Sequence, residues 1–204
     1  KCISKKVRQK LNLLLQKEKN NLIKGKQKKI EIGIVTKQDI LENHHKPVYL
    51  GIGSNIGNRI NHINKACHLL TNFCSIIKIS KFYETNSWPN EKLPKYLNIV
   101  VKCNTDLKPI SLLQNLKNIE FLLGRKKNKK NFPRTCDIDI IDFKGLKKRN
   151  KYIKIPHPRM SNRNFVLFPL FEIEKNWKHP KNNISIDKLL KKLDLKSLRS
   201  IKIY

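Results

Sequence analysis

The chain has 204 residues, a length that suits one domain of about 100–150 residues with an added segment. Its 39% hydrophobic content and its few Gly (7) and Pro (9) exclude collagen-like, mucin-like and wholly disordered proteins, and no apolar stretch approaches the roughly 18–20 residues of a membrane span. Lys and Arg number 45 against 15 Asp and Glu, a formal net charge of +30, so a polyanionic partner has to be considered.

Residues 1–46 are predicted to be a basic N-terminal extension, with 13 basic and 4 acidic residues. Apolar residues at helical spacing near Val7 and Leu11 predict a helix, and a short strand is predicted at Ile30–Val35. These residues show no apolar segment followed by a small-residue cleavage site, so we expect a soluble protein of the cytoplasm without membrane contact. No motif in the extension indicates a function.

Residues 47–204 are predicted to form one domain with the element order β-α-β-β-α-β. Pro109 suits the first turn of a helix, and Gly124 suits its C-terminal cap. The predicted strands are Val48–Gly53, Ile76–Thr85, Tyr96–Thr105 and Asp137–Phe143, the predicted helices are Arg59–Phe73, Ile110–Leu123 and Ile186–Leu193, and an apolar run spans Phe165–Phe171. This order is that of a ferredoxin-like α+β sandwich, an antiparallel β-sheet with helices packed on one face.

The positive charge is spread along the whole chain. Basic residues exceed acidic ones by 9 in residues 1–46, by 16 in residues 47–170 and by 5 in residues 171–204. Such a spread favours a lysine-rich, solvated surface over a dedicated nucleic-acid site. The exception is Arg125–Arg134, where six of ten residues are basic and none is acidic, a density that could hold a polyphosphate or a nucleic-acid backbone.

The triplet Asp137-Ile138-Asp139 is the strongest sign of chemistry. On a strand both carboxylates project from one face, while Ile138 and Ile140 point to the opposite face. Two carboxylates that directly follow a cationic loop suit Mg²⁺ bound together with a triphosphate. The same pair also occurs as plain surface residues and in glycosyltransferases, so the triplet alone leaves these alternatives open. Asp142 has the other strand parity and is expected to cap the strand end.

A glycine-rich segment between the first strand and the first helix imitates a dinucleotide fingerprint. The spacing after Gly53 is one residue too long for that motif, and no acidic residue follows at about twenty residues. We therefore interpret Gly51, Gly53 and Gly57 as a tight turn that leads into the helix.

A second basic group surrounds a histidine in a proline-stiffened loop. His157 lies close to Arg159 and Arg163 in sequence, a combination that favours phosphate binding. Two aromatic side chains that face each other across a cleft could in addition enclose a flat heterocycle, with Asn98 binding its edge.

Six segments in chain order resemble the 6-hydroxymethyl-7,8-dihydropterin pyrophosphokinase family of folate biosynthesis, over about residues 47–180. The segments are Gly53-Ser54-Asn55-x-Gly57, Phe82-Tyr83-Glu84-Thr85, Tyr96-Leu97-Asn98, Ile119-Glu120-x-x-x-Gly124-Arg125, Pro133-Arg134-Thr135-x-Asp137-x-Asp139 and Pro156-His157-Pro158-Arg159-Met160-x-x-Arg163-x-Phe165. The last two segments are the most specific. The resemblance implies that the β,γ-diphosphate of ATP passes to the hydroxymethyl oxygen of the pterin, with release of AMP.

The resemblance also implies roles for individual residues. By this likeness Asp137 and Asp139 hold two Mg²⁺ ions, while Arg134 and Arg125 act on the phosphates, Arg125 in a mobile lid loop. The nucleotide side is assigned to Glu120, the main chain near Ile140, His157 and Arg163. The pterin side is assigned to Thr85, Tyr96, Asn98 and Phe165, with Tyr96 and Phe165 stacking on the ring and Asn98 binding its edge. We expect ATP and the pterin as the partners of a monomeric enzyme.

Two loops depart from the family pattern. Asn131-Phe132 stands where Trp-Gly is frequent, and Arg125–Arg134 is about a residue shorter. Asn86-Ser87-Trp88-Pro89 replaces the frequent x-Pro-x-Gly. We expect these loops to alter lid closure and the cover of the pterin, whereas every metal and phosphate position remains.

Two other function classes are weaker. A nucleic-acid module on a ferredoxin-like sheet needs an aromatic-rich strand of the pattern K/R-G-F/Y-G/A-F-V-x-F/Y, which no strand of this sequence carries. A D-x-D glycosyltransferase needs a nucleotide-sugar domain larger than this chain. We therefore predict a pyrophosphokinase without a specific nucleic-acid partner.

Overall fold

A computed structural model of the chain describes residues 46–87, 90–125 and 132–204. The predicted helix and strand of the N-terminal extension lie outside these residues. So do Trp88, Pro89 and the middle of the basic loop, residues 126–131. The predicted domain boundary at residues 46/47 therefore stays a prediction.

The described residues form eight strands, five α-helices and one turn of 3₁₀-helix. The strands are β1 Val48–Ser54, β2 Ser75–Ile79, β3 Tyr83–Thr85, β4 Tyr96–Asn104, β5 Asp137–Phe143, β6 Lys148–Arg149, β7 Lys154–Ile155 and β8 Ile201–Ile203. The helices are α1 Arg59–Leu70, α2 Pro109–Leu122, α3 Asn164–Ile173, α4 Ile186–Lys191 and α5 Leu195–Arg199, and the 3₁₀ turn is Met160–Asn162.

Six of the strands form one antiparallel sheet in the order β5-β1-β4-β3-β8, with β2 beside the other half of β4. The first four predicted strands thus lie in the order expected of a ferredoxin-like sandwich, and that prediction of fold class is confirmed. The short strands β6 and β7 form a separate hairpin.

Helices cover both faces of the sheet, so the prediction that they pack on one face is wrong. Helices α1 and α2 cover one face with Ile63, Leu70, Leu112 and Leu116. On the other face α3 and α4 bury an apolar cluster that includes Tyr49, Val100, Ile141, Leu167, Leu170 and Leu189. The reason is the apolar run Phe165–Phe171, which forms most of α3 and buries residues on several sides of that helix.

The predicted strand Ile76–Thr85 is interrupted at Ser80. The Ser80 hydroxyl accepts a hydrogen bond from Val100 N at 2.9 Å, while Ser80 N donates to Val100 O at 3.0 Å. Because a side chain here replaces one backbone partner of the ladder, the strand divides into β2 and β3. The strand β8 was not predicted, and it adds a sixth member beside β3.

Candidate active site

Two glycines of β1 lie at the candidate site, and a Cβ atom at either one would meet a neighbouring side chain. Gly51 and Gly53 lie within β1, cross-strand from Asp139 and Asp137 on β5, and Gly53 also lies opposite Asn98 on β4. Cross-strand partners share a face, so these five residues lie on one face of the sheet, the site face. Gly51 and Gly53 thus lie in the strand, as the predicted bounds Val48–Gly53 imply, and the interpretation of these two glycines as part of a tight turn is wrong. Gly57 does lie in the turn, with a φ of 66°.

Asp137 lies between two arginines. Arg125 Nη1 donates to its Oδ1 at 2.6 Å, and Arg134 Nη1 donates to its Oδ2 at 3.2 Å. Burial alone would raise the pKa of Asp137, but the positive charges of Arg134 and Arg125 outweigh it and hold the pKa below its ordinary value. Asp137 is thus an anion at neutral pH, as a metal ligand has to be.

Glu120, at the end of α2, is buried and fixes the main chain between the two aspartates. Its Oε1 accepts a hydrogen bond from Ile138 N at 2.7 Å and another from Lys117 Nζ at 2.7 Å. Its Oε2 lies 2.6 Å from Arg125 Nη1. Burial raises the pKa of Glu120, although Lys117, the Ile138 amide and Arg125 all favour the charged form. Both carboxylate oxygens of Glu120 thus bind protein groups, among them the main chain between the two aspartates. The predicted contact of Glu120 with the nucleotide stays a prediction.

Asp139 faces two cationic or polar groups at longer distance. His157 Nε2 and Arg163 Nη1 each lie 3.8 Å from Asp139 Oδ2. His157 Nδ1 accepts a hydrogen bond from Arg159 N at 3.3 Å, which leaves the ring proton on Nε2, toward the site. Burial, together with the charges of Arg163 and Arg159, lowers the pKa of His157, so the imidazole is neutral at pH 7.

The residues predicted to bind the pterin adjoin the metal side on the site face. Tyr96 and Asn98 lie on β4, and Thr85 lies opposite Tyr96 on β3. Asn98 Nδ2 donates to Thr85 Oγ1 at 3.1 Å and to Tyr83 O at 3.3 Å, so its amide orientation is fixed.

Phe165, at the start of α3, approaches the same face from above. The guanidinium of Arg163 lies 5.2 Å from the centre of the Phe165 ring. The structure therefore brings ten of the twelve predicted site residues to one region of the site face. Ile140 lies on the opposite, core-facing side of β5, and Glu120 reaches the Ile138 amide from α2, which covers that side. The stacking of Tyr96 and Phe165 on a ring stays a prediction.

The chemistry of the donor set fits Mg²⁺. Within the described ranges no group of three or more His, Cys, Asp or Glu side chains could hold a metal by protein ligands alone. Asp137 and Asp139 supply two carboxylates on one open face, which is what Mg²⁺ uses when phosphates and water complete its coordination. These residues would hold the metal only together with a polyphosphate.

Asp142 caps the strand end as predicted, but it also has a second partner. Its Oδ1 accepts from Gly145 N at 3.0 Å, and its Oδ2 accepts from Trp177 Nε1 at 2.9 Å. The β1–β5 register shifts between Tyr49 and Leu50. Simple alternation along β5 would place Asp142 on the face covered by α1 and α2. The irregularity moves it to the α3 side, where it contacts Trp177.

Sequence reasoning assigned no function to Asn55 or Lys117, yet both contact site residues. Asn55 Oδ1 accepts from Arg134 N at 2.7 Å. Lys117 lies one helical turn before Glu120, so its ion pair could have been expected from the i, i+3 spacing. Asn55 belongs to the motif Gly53-Ser54-Asn55, which marks the residue in the sequence. The motif does not indicate that Asn55 contacts Arg134.

Comparison with known proteins points in one direction. The family model described as "7,8-dihydro-6-hydroxymethylpterin-pyrophosphokinase (HPPK)" matches residues 49–175. A 2-amino-4-hydroxy-6-hydroxymethyldihydropteridine pyrophosphokinase from Aquifex aeolicus is 46% identical over 133 residues, which are 65% of this chain and 83% of that protein. A protein of the same name from Bacillus subtilis is 39% identical over 127 residues, 61% of this chain and 76% of that one.

Longer proteins match in part of their length. The Folic acid synthesis protein FOL1 of Dictyostelium discoideum is 38% identical over 70% of this chain, which spans 22% of that protein. A crystal structure of Plasmodium falciparum HPPK-DHPS superposes with a TM-score of 0.59 at 19% identity, over 72% of this chain and 42% of that one. The likeness to that structure concerns the fold.

No helix among the described residues has the length and apolar character needed to cross a membrane.

Proposed function

The chain belongs to the 7,8-dihydro-6-hydroxymethylpterin-pyrophosphokinase family and transfers diphosphate from ATP to 6-hydroxymethyl-7,8-dihydropterin, and we propose which of its residues carry out this reaction. The observation that carries the assignment is the site face. It presents two carboxylates, Asp137 and Asp139, beside four cationic or polar groups and next to the Thr85–Asn98 contact.

The phosphate side is formed by Arg125, Arg134, His157 and Arg163. The reaction moves a diphosphate in line from AMP to an oxygen nucleophile, so catalysis depends on positioning and on neutralising phosphate charge. Arg134 pairs with Asp137 and Arg163 faces Asp139, and neutral His157 offers its Nε2 proton to a phosphate oxygen. These donors would hold the triphosphate over Asp137 and Asp139.

The two aspartates would hold two Mg²⁺ ions together with that triphosphate. Bound magnesium supplies charge neutralisation and orientation of the β- and γ-phosphates. In the described structure Arg125 and Arg134 bind the Asp137 carboxylate. Their positive charges keep Asp137 ionised before the nucleotide binds. Glu120 keeps the Ile138 amide, and with it the spacing of the two carboxylates, fixed.

The pterin side is formed by Thr85, Tyr96, Asn98 and Phe165. Asn98 is held by Thr85 and by the Tyr83 carbonyl, which fixes the direction of its amide toward a ring edge. Tyr96 and Phe165 would stack on the ring. The acceptor oxygen would then point from this pocket toward the aspartates along the site face.

Three further properties belong to this proposal. The enzyme acts as a monomer in the cytoplasm, and it has no specific nucleic-acid partner. What supports the last point is the even spread of positive charge along the sequence.

The metal role is tested by replacing each aspartate. Asp137→Asn and Asp139→Asn should each lower AMP formation about a hundredfold or more, because each removes a charged ligand and keeps the side-chain size. Exposed Asp106→Asn, at the far end of β4, is the matched control and should keep wild-type turnover. Equal activity of all three variants would contradict the assignment. Binding of a non-hydrolysable ATP analogue with and without Mg²⁺ gives a second readout, since only wild type and the control should show metal-dependent affinity.

A further inference from the structure

Asn55 lies just after β1 and is almost fully buried, with 1% of its surface exposed. Its side chain makes three hydrogen bonds to two separate segments. Nδ2 donates to Pro94 O at 3.2 Å and to Ser87 Oγ at 3.3 Å, and Oδ1 accepts from Arg134 N at 2.7 Å. Its main chain adds a fourth bond, since Asn55 N donates to Arg134 O at 3.1 Å.

The two segments bound by Asn55 lead to the two substrate sides. Ser87 and Pro94 lie in the loop between β3 and β4. Thr85 is the last residue of β3, and Tyr96 is the first residue of β4. Arg134 reaches Asp137 through its side chain. The Asn55 amide therefore stands between the loop at the pterin pocket and the arginine at the metal site.

We propose that Asn55 is a positioning residue that holds the pterin-side loop and the Arg134 segment in one fixed arrangement, so that the two halves of the site are assembled together. The proposal rests on the proposed function, because it takes its two sides from the roles given to Thr85, Tyr96 and Arg134. The three hydrogen bonds of the Asn55 side chain all go to protein groups, so Asn55 acts through its neighbours and is not assigned a substrate contact.

The chemistry of the amide explains why this residue type is needed. An asparagine offers donors at one end and an acceptor at the other, and the two segments present two oxygens and one N–H. Ser87 Oγ also donates to Pro94 O at 2.5 Å, so the loop closes on itself and on Asn55. Asn55 and Ser87 are both buried, so a lost partner leaves an unsatisfied polar atom at one of these two side chains, away from water.

Asn55→Asp separates the two connections. The carboxylate keeps an acceptor for Arg134 N and loses both donors to the loop. We expect this variant to weaken pterin affinity about tenfold or more in the presence of a non-hydrolysable ATP analogue with Mg²⁺, and to change affinity for that analogue less than about threefold. Asn55→Ala removes all three side-chain hydrogen bonds and keeps only the main-chain bond to Arg134 O, so it should weaken both affinities and lower kcat. Ser87→Ala should reproduce the pterin effect in a smaller degree.

The matched control is Asn104→Asp, an exposed residue at the other end of β4, which should leave both affinities unchanged. Urea unfolding of each variant gives the folded fraction, and affinities are compared per folded molecule. The proposal is overturned if Asn55→Asp and Asn55→Ala both bind pterin and nucleotide as wild type does, or if Asn55→Asp weakens both equally. A wild-type protein that forms no AMP with pterin would instead contradict the proposed function.

Discussion

Gly53 is the residue where the site has least room for added volume. A Cβ atom at this position would lie 2.9 Å from Asn98 Oδ1 and 3.5 Å from Tyr96 Cδ1. The first distance is shorter than real Cβ contacts, so Asn98 would have to move, although its amide is held by Thr85 and the Tyr83 carbonyl. Glycine is therefore needed at position 53 because a side chain there would collide with Asn98. The conformational freedom of its backbone is not the reason.

We therefore expect Gly53→Ala to raise the Kd for the pterin about tenfold while nucleotide binding stays near wild type. Gly51→Ala is the matched control, because its Cβ would meet only the flexible end of Ile141, at 3.3 Å. Fluorescence titration with the pterin measures the difference. Equal pterin affinity in the two variants would show that Asn98 does not bind the ring edge.

Glu120 is the residue on which the metal-site backbone depends for stability. Removing a buried charge that pairs with other charges costs about 3–5 kcal/mol, because the partners are left without compensation. Here Glu120→Ala would also leave the Ile138 N–H without its acceptor.

We expect Glu120→Ala to lower the free energy of unfolding by about 3–5 kcal/mol in urea titrations. Its partner Lys117 is half-exposed, and Lys117→Ala should cost less than about 1 kcal/mol. Similar losses for the two variants would mean that Glu120 contributes only a surface ion pair.

At the scale of elements, the regular strands and helices were predictable, and the reasons are local. Strand β5 matches its predicted bounds, Asp137–Phe143. In its first four residues aspartate alternates with isoleucine, which is the period-two pattern of a strand. Helix α2 starts one residue before the prediction and ends one residue before it, since Pro109 occupies its first turn and Gly124, with a φ of 81°, follows its end.

The strands that were missed are too short to give a periodic signal, and only β8 among them depends on a partner distant in sequence. Strand β8 has three residues and is stable only beside β3, and β6 and β7 have two residues each. Single-chain periodicity gives no signal at such lengths. In the same way, the site residues could be named from motifs, but the sharing of Arg125 between Glu120 and Asp137 depends on how α2 packs on β5.

The C-terminal elements are bound to the site through Asn164. This buried residue stands between Arg163 and Phe165, and its Nδ2 donates to Ser197 O at 2.6 Å and to Ser200 Oγ at 3.0 Å. Residues Ser197 and Ser200 lie in or just after α5, directly before β8. Asn164 thus connects the start of α3 to the edge of the sheet.

We expect Asn164→Ala to lower the free energy of unfolding by about 1–3 kcal/mol, because two hydrogen bonds from a buried side chain to half-buried oxygens are lost. Amide hydrogen exchange in β8 should speed up in this variant more than in β1. Ser200→Ala removes only one of the two bonds and should have a smaller effect. Unchanged exchange in β8 would contradict the connection.

At the scale of the whole molecule, the net charge of +30 far exceeds what the site uses. The site face engages Arg125, Arg134, His157 and Arg163, and the remaining basic residues are spread along the sequence. A diffuse positive surface attracts polyanions through released counterions, without reading a base sequence.

We expect binding to short DNA or RNA duplexes to lack sequence preference and to fall steeply between 50 and 200 mM salt, on the order of a thousandfold if six or more phosphates are contacted. Fluorescence anisotropy with two unrelated duplexes measures both properties. Tight binding that persists at high salt for one sequence only would contradict a purely electrostatic surface.

Transfer of an intact diphosphate to the pterin distinguishes this reaction from ordinary γ-phosphoryl transfer. Phosphorus-31 NMR of the protein with ATP, Mg²⁺ and 6-hydroxymethyl-7,8-dihydropterin follows every phosphate in a single experiment. We predict that AMP and a pterin diphosphate appear in equal amounts, only when the pterin is present. The formation of ADP, or the absence of any product from folded protein that binds both substrates, would contradict diphosphate transfer at this site.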